Sequence, residues 1–157
     1  MSSFLLSRFE TTDISFERVD LFDELLTATA DSPDRLSPYI SFIQSGFCDF
    51  SEAVRNGAYQ CALNYISSNP SMAISFLNAY SIALLHKQAD ISLHALSFLP
   101  KFIILSRSVS KSLIAVASLA ANRWPSPDSA AHLSRAIAAF RCTNLDSNAD
   151  EQMSPMK

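Results

Sequence analysis

Residues 56–86 read NGAYQCALNYISSNPSMAISFLNAYSIALLH, and none of these 31 residues is Asp, Glu, Lys or Arg. A stretch of this length without charge is typical of a protein interior or a membrane. Ser67-Ser-Asn-Pro70 divides it, because Asn69 can cap a helix that has proline at its first position. The helix that follows is predicted to span about 70–88. It has no wide polar face, so we expect it to be the central helix of the fold.

A membrane span is the alternative for this stretch, since about 20 continuous apolar residues cross a bilayer. The part from Ser71 to Leu85 is shorter, about 22 Å at the helical rise per residue, and it contains the polar side chains of Ser75, Asn78 and Ser81. We therefore expect a core helix rather than a membrane association.

Charges on either side of the stretch are sorted by sign. Residues 1–55 hold ten acids and four bases, a net charge of −6, and residues 56–142 hold seven bases and two acids, a net charge of +5. Residues 143–157 hold three acids and one base, a net charge of −2. Such a distribution favours a molecule that contacts a partner through charged surfaces, but it specifies no chemistry.

The composition predicts an all-α fold. The 157 residues are 48% apolar, which is enough for a core, and they include only two glycines, so turns suited to β-hairpins are scarce. Several of the seven prolines follow Ser or Asn, the arrangement of a capped helix start. We predict a single compact domain of six or seven helices over residues 1–142. A disordered acidic tail is predicted over residues 143–157.

Apolar periodicity places the individual helices. Asp90 is predicted to cap a short helix, and Pro100 either kinks or ends it. Gly57 is predicted to weaken its helix by about 1 kcal/mol relative to alanine. The predicted helices are 15–31, 38–45, 49–67, 69–88, 91–99, 101–123 and 127–141.

The three cysteines, Cys48, Cys61 and Cys142, are widely spaced and follow no secretory signal. Thiols in this arrangement favour a reducing compartment, so we expect an intracellular protein. The cytoplasm is the expected location, and the nucleus is the alternative.

Motifs for catalysis, metals and cofactors are missing from the sequence. A zinc site normally has ligand pairs two to four residues apart, and the cysteines and histidines form no such pair. Two glycines cannot supply a phosphate-binding loop. We therefore predict a protein that is not an enzyme, with no metal and no cofactor.

The basic later half offers candidate contact residues. On the segment 101–123, Arg107 and Lys111 lie one turn apart, opposite an apolar stripe, and such a helix can lie on phosphates. Trp124 can stack on an unpaired base. The full set of candidate contacts to nucleic acid or to a protein partner is Arg107, Lys111, Arg123, Trp124, Arg135 and Arg141.

These features favour a non-enzymatic intracellular interaction or assembly protein, of the small accessory or effector type found among viral proteins. It is expected to act through helix faces and to self-associate, with an acidic surface of Glu17, Asp20 and Glu24 meeting the basic half of a second copy. The first alternative is a nucleic-acid-binding protein that uses the basic helix 101–123. The second is an enzyme whose catalytic residues are too scattered to identify.

Overall fold

In the computed structural model, which describes residues 2–11 and 15–153, regular structure is entirely helical, and the predicted all-α class is confirmed. The α-helices of this part of the chain are α1 (Ser2–Thr11), α2 (Ser15–Ala28), α3 (Ile40–Gly46), α4 (Glu52–Ser68), α5 (Ile74–Leu84), α6 (Ala89–Ser97), α7 (Leu99–Leu105), α8 (Ser110–Arg123) and α9 (Pro127–Met153).

Three 3-10 segments connect some of these helices: Pro33–Tyr39, Pro70–Ala73 and Arg107–Val109. Proline opens two of them and also opens α9, as the sequence predicts, but Asn69 does not make the predicted side-chain cap before Pro70. Pro38 is different, because it lies inside a 3-10 segment instead of starting a helix.

The described residues form nine α-helices instead of six or seven. The predicted helix 101–123 is two helices, because Pro100 lies at the start of α7 and Ser106 ends it. Ser106 has an extended φ of −137°, and its buried hydroxyl donates to the carbonyl of Phe102. A serine that hydrogen-bonds back to its own helix in this way competes with the helical backbone. Residues 2–11 add a further helix that the sequence analysis does not include.

The most enclosed helix is α4, and the expected central position of the helix at about 70–88 is not observed. Ten residues of α4 are buried, and the helix packs against α2, α3 and α7. In contrast, α5 buries one side, with Phe76, Tyr80, Ala83 and Leu84, and leaves large apolar residues exposed on the other. An apolar sequence sets how much surface a helix is able to bury, but whether neighbours cover both sides depends on the packing.

A cluster of aromatic rings joins α4 to the helices around it. Tyr59 is stacked between Phe47 and Phe98, with ring centroids 4.4 Å away on each side. Tyr80 stacks on Phe102 at 4.2 Å, and its hydroxyl donates to the carbonyl of Ala95 at 2.7 Å. These contacts fix the positions of α5, α6 and α7 relative to α4.

Glycines allow α4 to approach both α2 and α3 closely. A Cβ atom placed at Gly57 would lie 2.7 Å from Cβ of Phe22, and one at Gly46 would lie 2.6 Å from Cβ of Ala58. Gly57 is therefore a packing requirement of the fold, whereas the sequence predicts only a weak point in a helix.

At the C-terminus, α9 continues to Met153, so the predicted end near residue 141 is wrong. Residues 143–153 of the predicted disordered tail are helical, because helix formation there continues an existing helix and needs no new nucleus. Residues 154–157 lie outside the described residues.

Candidate protein-interaction surface

The outer side of α5 carries apolar side chains that the described residues cover only in part. Ile74 is 65% exposed, Ile82 is 56% exposed and Leu85, directly after the helix, is 40% exposed. Together with exposed Asn78, these residues recur at intervals of four, four and three, so they form one stripe along the helix. The opposite side holds the buried Phe76 and Tyr80, which keep the stripe facing outward.

Helix α8 runs alongside α5 in the same direction. The 3-10 segments that precede the two helices, Pro70–Ala73 and Arg107–Val109, contact each other. At the other end, Nη1 of Arg123 donates to the carbonyl of Leu85 at 3.4 Å. The exposed side of α8 includes Leu119, which is 61% exposed. We call the outer surface of these two helices the α5–α8 face, defined by Ile74, Ile82, Leu85, Leu119, Lys111 and Arg123.

Cations border the α5–α8 face. Lys111 is exposed near the start of α8, and Lys87 and Arg123 are exposed near the ends of α5 and α8. Between residues 56 and 127 of the sequence the only carboxylate is Asp90. The face therefore carries the apolar side chains of Ile74, Ile82, Leu85 and Leu119, with polar Asn78 among them, and has cations near both ends.

A groove of about 460 Å³ lies beside the same helix, between α3 and α5. Nε2 of Gln44 donates to the carbonyl of Ser75 at 2.8 Å and joins its two walls. Ile82 and the half-buried Cys48 also line it. Burial raises the pKa of the Cys48 thiol although the charge of Arg55 opposes this, so the thiol is held in its protonated form.

A second groove, of about 530 Å³ and polar, lies where the first turns of α4, α6 and α9 meet. Arg55 of α4, only 3% exposed, lies in its wall. Its Nε donates to Nδ1 of His94 at 2.8 Å, and its Nη1 donates to the carbonyls of Asp49 at 2.8 Å and Phe50 at 3.2 Å. Nε2 of His94 lies 2.8 Å from Oδ1 of Asn56. Arg55 thus ties α4 to α6 and to the loop before α4.

These bonds require a neutral His94. A nitrogen that accepts from Arg55 carries no proton, so Nε2 is the donor, to Asn56. Burial, and then the charge of Arg55, lower the pKa of His94, while Glu52 and Asp90 partly oppose the shift.

The chemistry that this polar groove supports is limited. Each of the three helices contributes one carboxylate from its first turn, Glu52, Asp90 or Asp128. Carboxylates at these positions stabilise helix N-termini. Within the described residues no three His, Cys, Asp or Glu side chains are grouped to hold a metal ion. Elsewhere on α4, burial raises the pKa of Cys61 to about 12, so that thiol is protonated and is a poor nucleophile.

The basic residues predicted as contacts are distributed over α8, α9 and the segment before α8. Lys111 and Arg123 are twelve residues apart, about 18 Å along a helix. Arg135 and Arg141 are exposed on α9, and Arg107 is exposed before α8.

Trp124 is half-buried, and its indole Nε1 is buried without a hydrogen-bond partner among the described residues. The guanidinium of Arg123 lies 5.3 Å from the centroid of the indole ring. The ring is therefore partly occupied within the protein and less open to a base than the sequence analysis supposes. The contact role of this residue set stays a prediction.

The predicted acidic residues lie on α2 next to α1. Oε2 of Glu24 is 2.8 Å from Nη1 of Arg8, in an ion pair between the two helices. Glu17 and Asp20 line a small depression with Arg8. An interface role for these carboxylates also stays a prediction.

The Arg55 network is not predicted from the sequence. A signal was present: Arg55 shares one side of α4 with Tyr59, Ala62 and Ile66, at intervals of four, three and four, and all of these residues are buried. Its acceptors are carbonyl and imidazole groups from distant or irregular positions, which spacing does not identify.

No single helix within the described residues has both the length and the apolar character to cross a membrane. The segments Leu99–Leu105 and Arg107–Arg123 meet these criteria only as a pair, and they are bent by 116°.

Comparison with known families identifies a match over most of the chain. The model of a family described as Integrator complex subunit 1, R4 domain, matches residues 6–107, about two thirds of the 157 residues. This span includes α2 to α7 and ends before α8. Comparison with curated proteins gives no match.

Proposed function

The chain belongs to the family of the R4 domain of Integrator complex subunit 1, and from this membership we propose that it is a non-enzymatic protein-interaction module that binds a protein partner in a multi-subunit complex. The family's name assigns that subunit to a complex, and a helical domain contributes to an assembly by presenting helix faces to its neighbours.

The observation that carries the proposal is the exposed apolar stripe of α5. Scattered apolar residues on a protein surface are ordinary, but Ile74, Ile82 and Leu85 lie in one row on one helix. Burying an isoleucine or leucine side chain fully contributes about 1.5–3 kcal/mol. A partner that covers this row gains stabilisation that the isolated chain lacks.

The polar groove supports the non-enzymatic part of the proposal, because its side chains have structural roles. Arg55 is held by three acceptors and His94 by Arg55 and Asn56, so both side chains are committed to connecting helices. The carboxylates of the groove lie in helix first turns, where they have a structural role.

Affinity purification of tagged full-length chain tests the proposal. Ile82→Ser combined with Leu119→Ser should remove proteins that co-purify with the wild type, because both side chains are exposed and their loss affects binding more than folding. Ile104→Ser is the matched control, since Ile104 is 61% exposed on α7. Equal recovery of every partner by the double variant and the wild type would contradict the proposal.

A further inference from the structure

The α5–α8 face has the dimensions of a helix-binding surface. Its two helices are parallel neighbours, joined at their C-terminal ends by the bond from Arg123 to Leu85. Lys111 and Arg123 are separated by about 18 Å along α8, the length of about three helical turns. Leu119, 61% exposed, lies between these cations on α8, and Ile82, 56% exposed, lies on α5 at the edge of the groove shared with α3.

We propose that the α5–α8 face binds an amphipathic helix of a partner protein, about three to four turns long, with apolar residues on one side and acidic residues near both ends. This inference rests on the proposed function and specifies the chemistry of the partner.

The apolar part of the face accounts for the helical form of the ligand. The α5 stripe recurs at intervals of four, four and three, so its side chains form a ridge that fits between the ridges of another helix. An amphipathic helix that lies on such a surface supplies anchors at intervals of three and four residues. The described part of the chain has no β-strand, so a partner in extended form would find no sheet edge to pair with.

The charges account for the acidic ends. Cations near both ends of the face attract carboxylates, and Asp90, the one carboxylate between residues 56 and 127, leaves the positive charge of this segment in excess. Cations near the C-terminal ends of α5 and α8 also offset the partial negative charge of those helix ends. A partner with basic ends would meet repulsion at Lys87, Lys111 and Arg123.

Nucleic acid fits this face less well. Phosphates would satisfy the cations, but they would leave Ile82 and Leu119 against the most polar part of the ligand. An amphipathic helix satisfies both the charges and the apolar side chains.

The test uses the full-length chain and a synthetic amphipathic peptide of about 15 residues, with leucines on one side and glutamates near both ends. A second peptide has lysines in place of the glutamates. Fluorescence anisotropy of labelled peptide should show binding of the glutamate peptide that weakens as salt is raised. The lysine peptide should bind at least about tenfold more weakly.

Two double variants separate the apolar and the charged contributions. Ile82→Ser with Leu119→Ser should weaken binding of the glutamate peptide by about tenfold or more, whereas Ile104→Ser should not change it. Lys111→Glu with Arg123→Glu should reverse the preference, so that the lysine peptide binds better. Circular dichroism and thermal melting of each variant establish that it is folded before its binding is compared.

Other outcomes overturn the inference. Absence of glutamate-peptide binding by folded wild type, or binding that none of the face variants affects, contradicts it. The inference is also contradicted if the wild type binds no peptide but self-associates, and the double serine variant no longer self-associates. In that case the face is an interface between copies. Binding of single-stranded RNA or duplex DNA that depends on Lys111 and Arg123 but not on Ile82 and Leu119 contradicts it also. If co-purification of partners still depends on Ile82 and Leu119, the proposed function stands and only the acidic helical ligand is wrong.

Discussion

At the scale of single residues, a buried cation held by neutral acceptors makes the fold sensitive to the charge of one histidine. Nε of Arg55 donates to Nδ1 of His94 at 2.8 Å. A proton on that nitrogen would break the bond and place two positive charges in contact. The other titratable groups around the polar groove are Glu52 on α4, Asp90 on α6, and Asp128 and His132 on α9.

We therefore predict that acidification destabilises the chain through His94. The pKa of His94 in the folded chain is lowered below its ordinary value, first by burial and then by Arg55. The corresponding stabilisation is present above the ordinary value of about 6.5 and is lost as pH falls toward the lowered value. Urea unfolding at about pH 7 and about pH 5.5 should show a decrease in the free energy of unfolding.

His94→Gln should reduce this decrease, because glutamine takes up no proton in this range. His132→Gln is the control, since His132 lines the same groove. A pH dependence that survives in His94→Gln and disappears in His132→Gln would refute the assignment to His94.

Replacing Gly57 by alanine should change the stability in the direction opposite to that expected from helix propensity. Helix propensity alone predicts that Gly57→Ala stabilises by about 1 kcal/mol. The new Cβ would lie 2.7 Å from Cβ and 3.2 Å from Cγ of Phe22, atoms near the backbone that cannot easily move. We expect a net destabilisation of about 1–3 kcal/mol in thermal or urea unfolding. A variant more stable than wild type would show that α2 and α4 lie further apart than in this structure.

At the scale of elements, helix existence is easier to predict than helix surroundings. The start of α9 at Pro127, where Ser126 accepts from the amide of Ser129, follows from local chemistry that the sequence displays directly. Pro70 opens only a 3-10 segment before α5, and Asn69 makes no capping hydrogen bond there. The end of α7 at Ser106 does not follow from such local chemistry, because serine is tolerated within helices and acts here through a bond to its own helix. The partial exposure of α5 is likewise decided by which helices pack around it, and nothing within residues 70–88 encodes that.

The two sides of α5 should respond differently to truncation. Phe76→Ala removes a side chain that is 1% exposed and should cost about 3–5 kcal/mol. Ile82→Ala, on a residue that is 56% exposed, should cost less than about 1 kcal/mol. Thermal melting of both variants provides the comparison. Similar losses in the two variants would place α5 in the centre of the fold, where the sequence analysis expects it.

At the scale of the whole molecule, charge separates the early helices from the later ones. The ion pairs Arg8–Glu24 and Arg18–Asp49 lie within the first 55 residues, so acids of the early half are partly neutralised by bases of the same half. The later half keeps a net charge of +5, and three of its cations, Lys87, Lys111 and Arg123, border the α5–α8 face. The sequence predicts this separation because it is a property of composition. It does not predict where the cations lie relative to the exposed apolar residues, since that depends on the parallel packing of α5 and α8.

The basic surface can be tested for its alternative ligand, nucleic acid, with Arg107→Glu combined with Lys111→Glu. Both side chains are exposed, so the free energy of unfolding should change by less than about 1 kcal/mol. Because the face pairs its cations with apolar side chains, we expect wild type and variant to bind single-stranded RNA and duplex DNA equally poorly at low salt. Electrophoretic mobility or anisotropy titrations at several salt concentrations measure this. If instead the wild type binds and the double variant lowers the dependence of log K on log salt by about 1–2 units, phosphates contact these two residues and the surface is a nucleic-acid site.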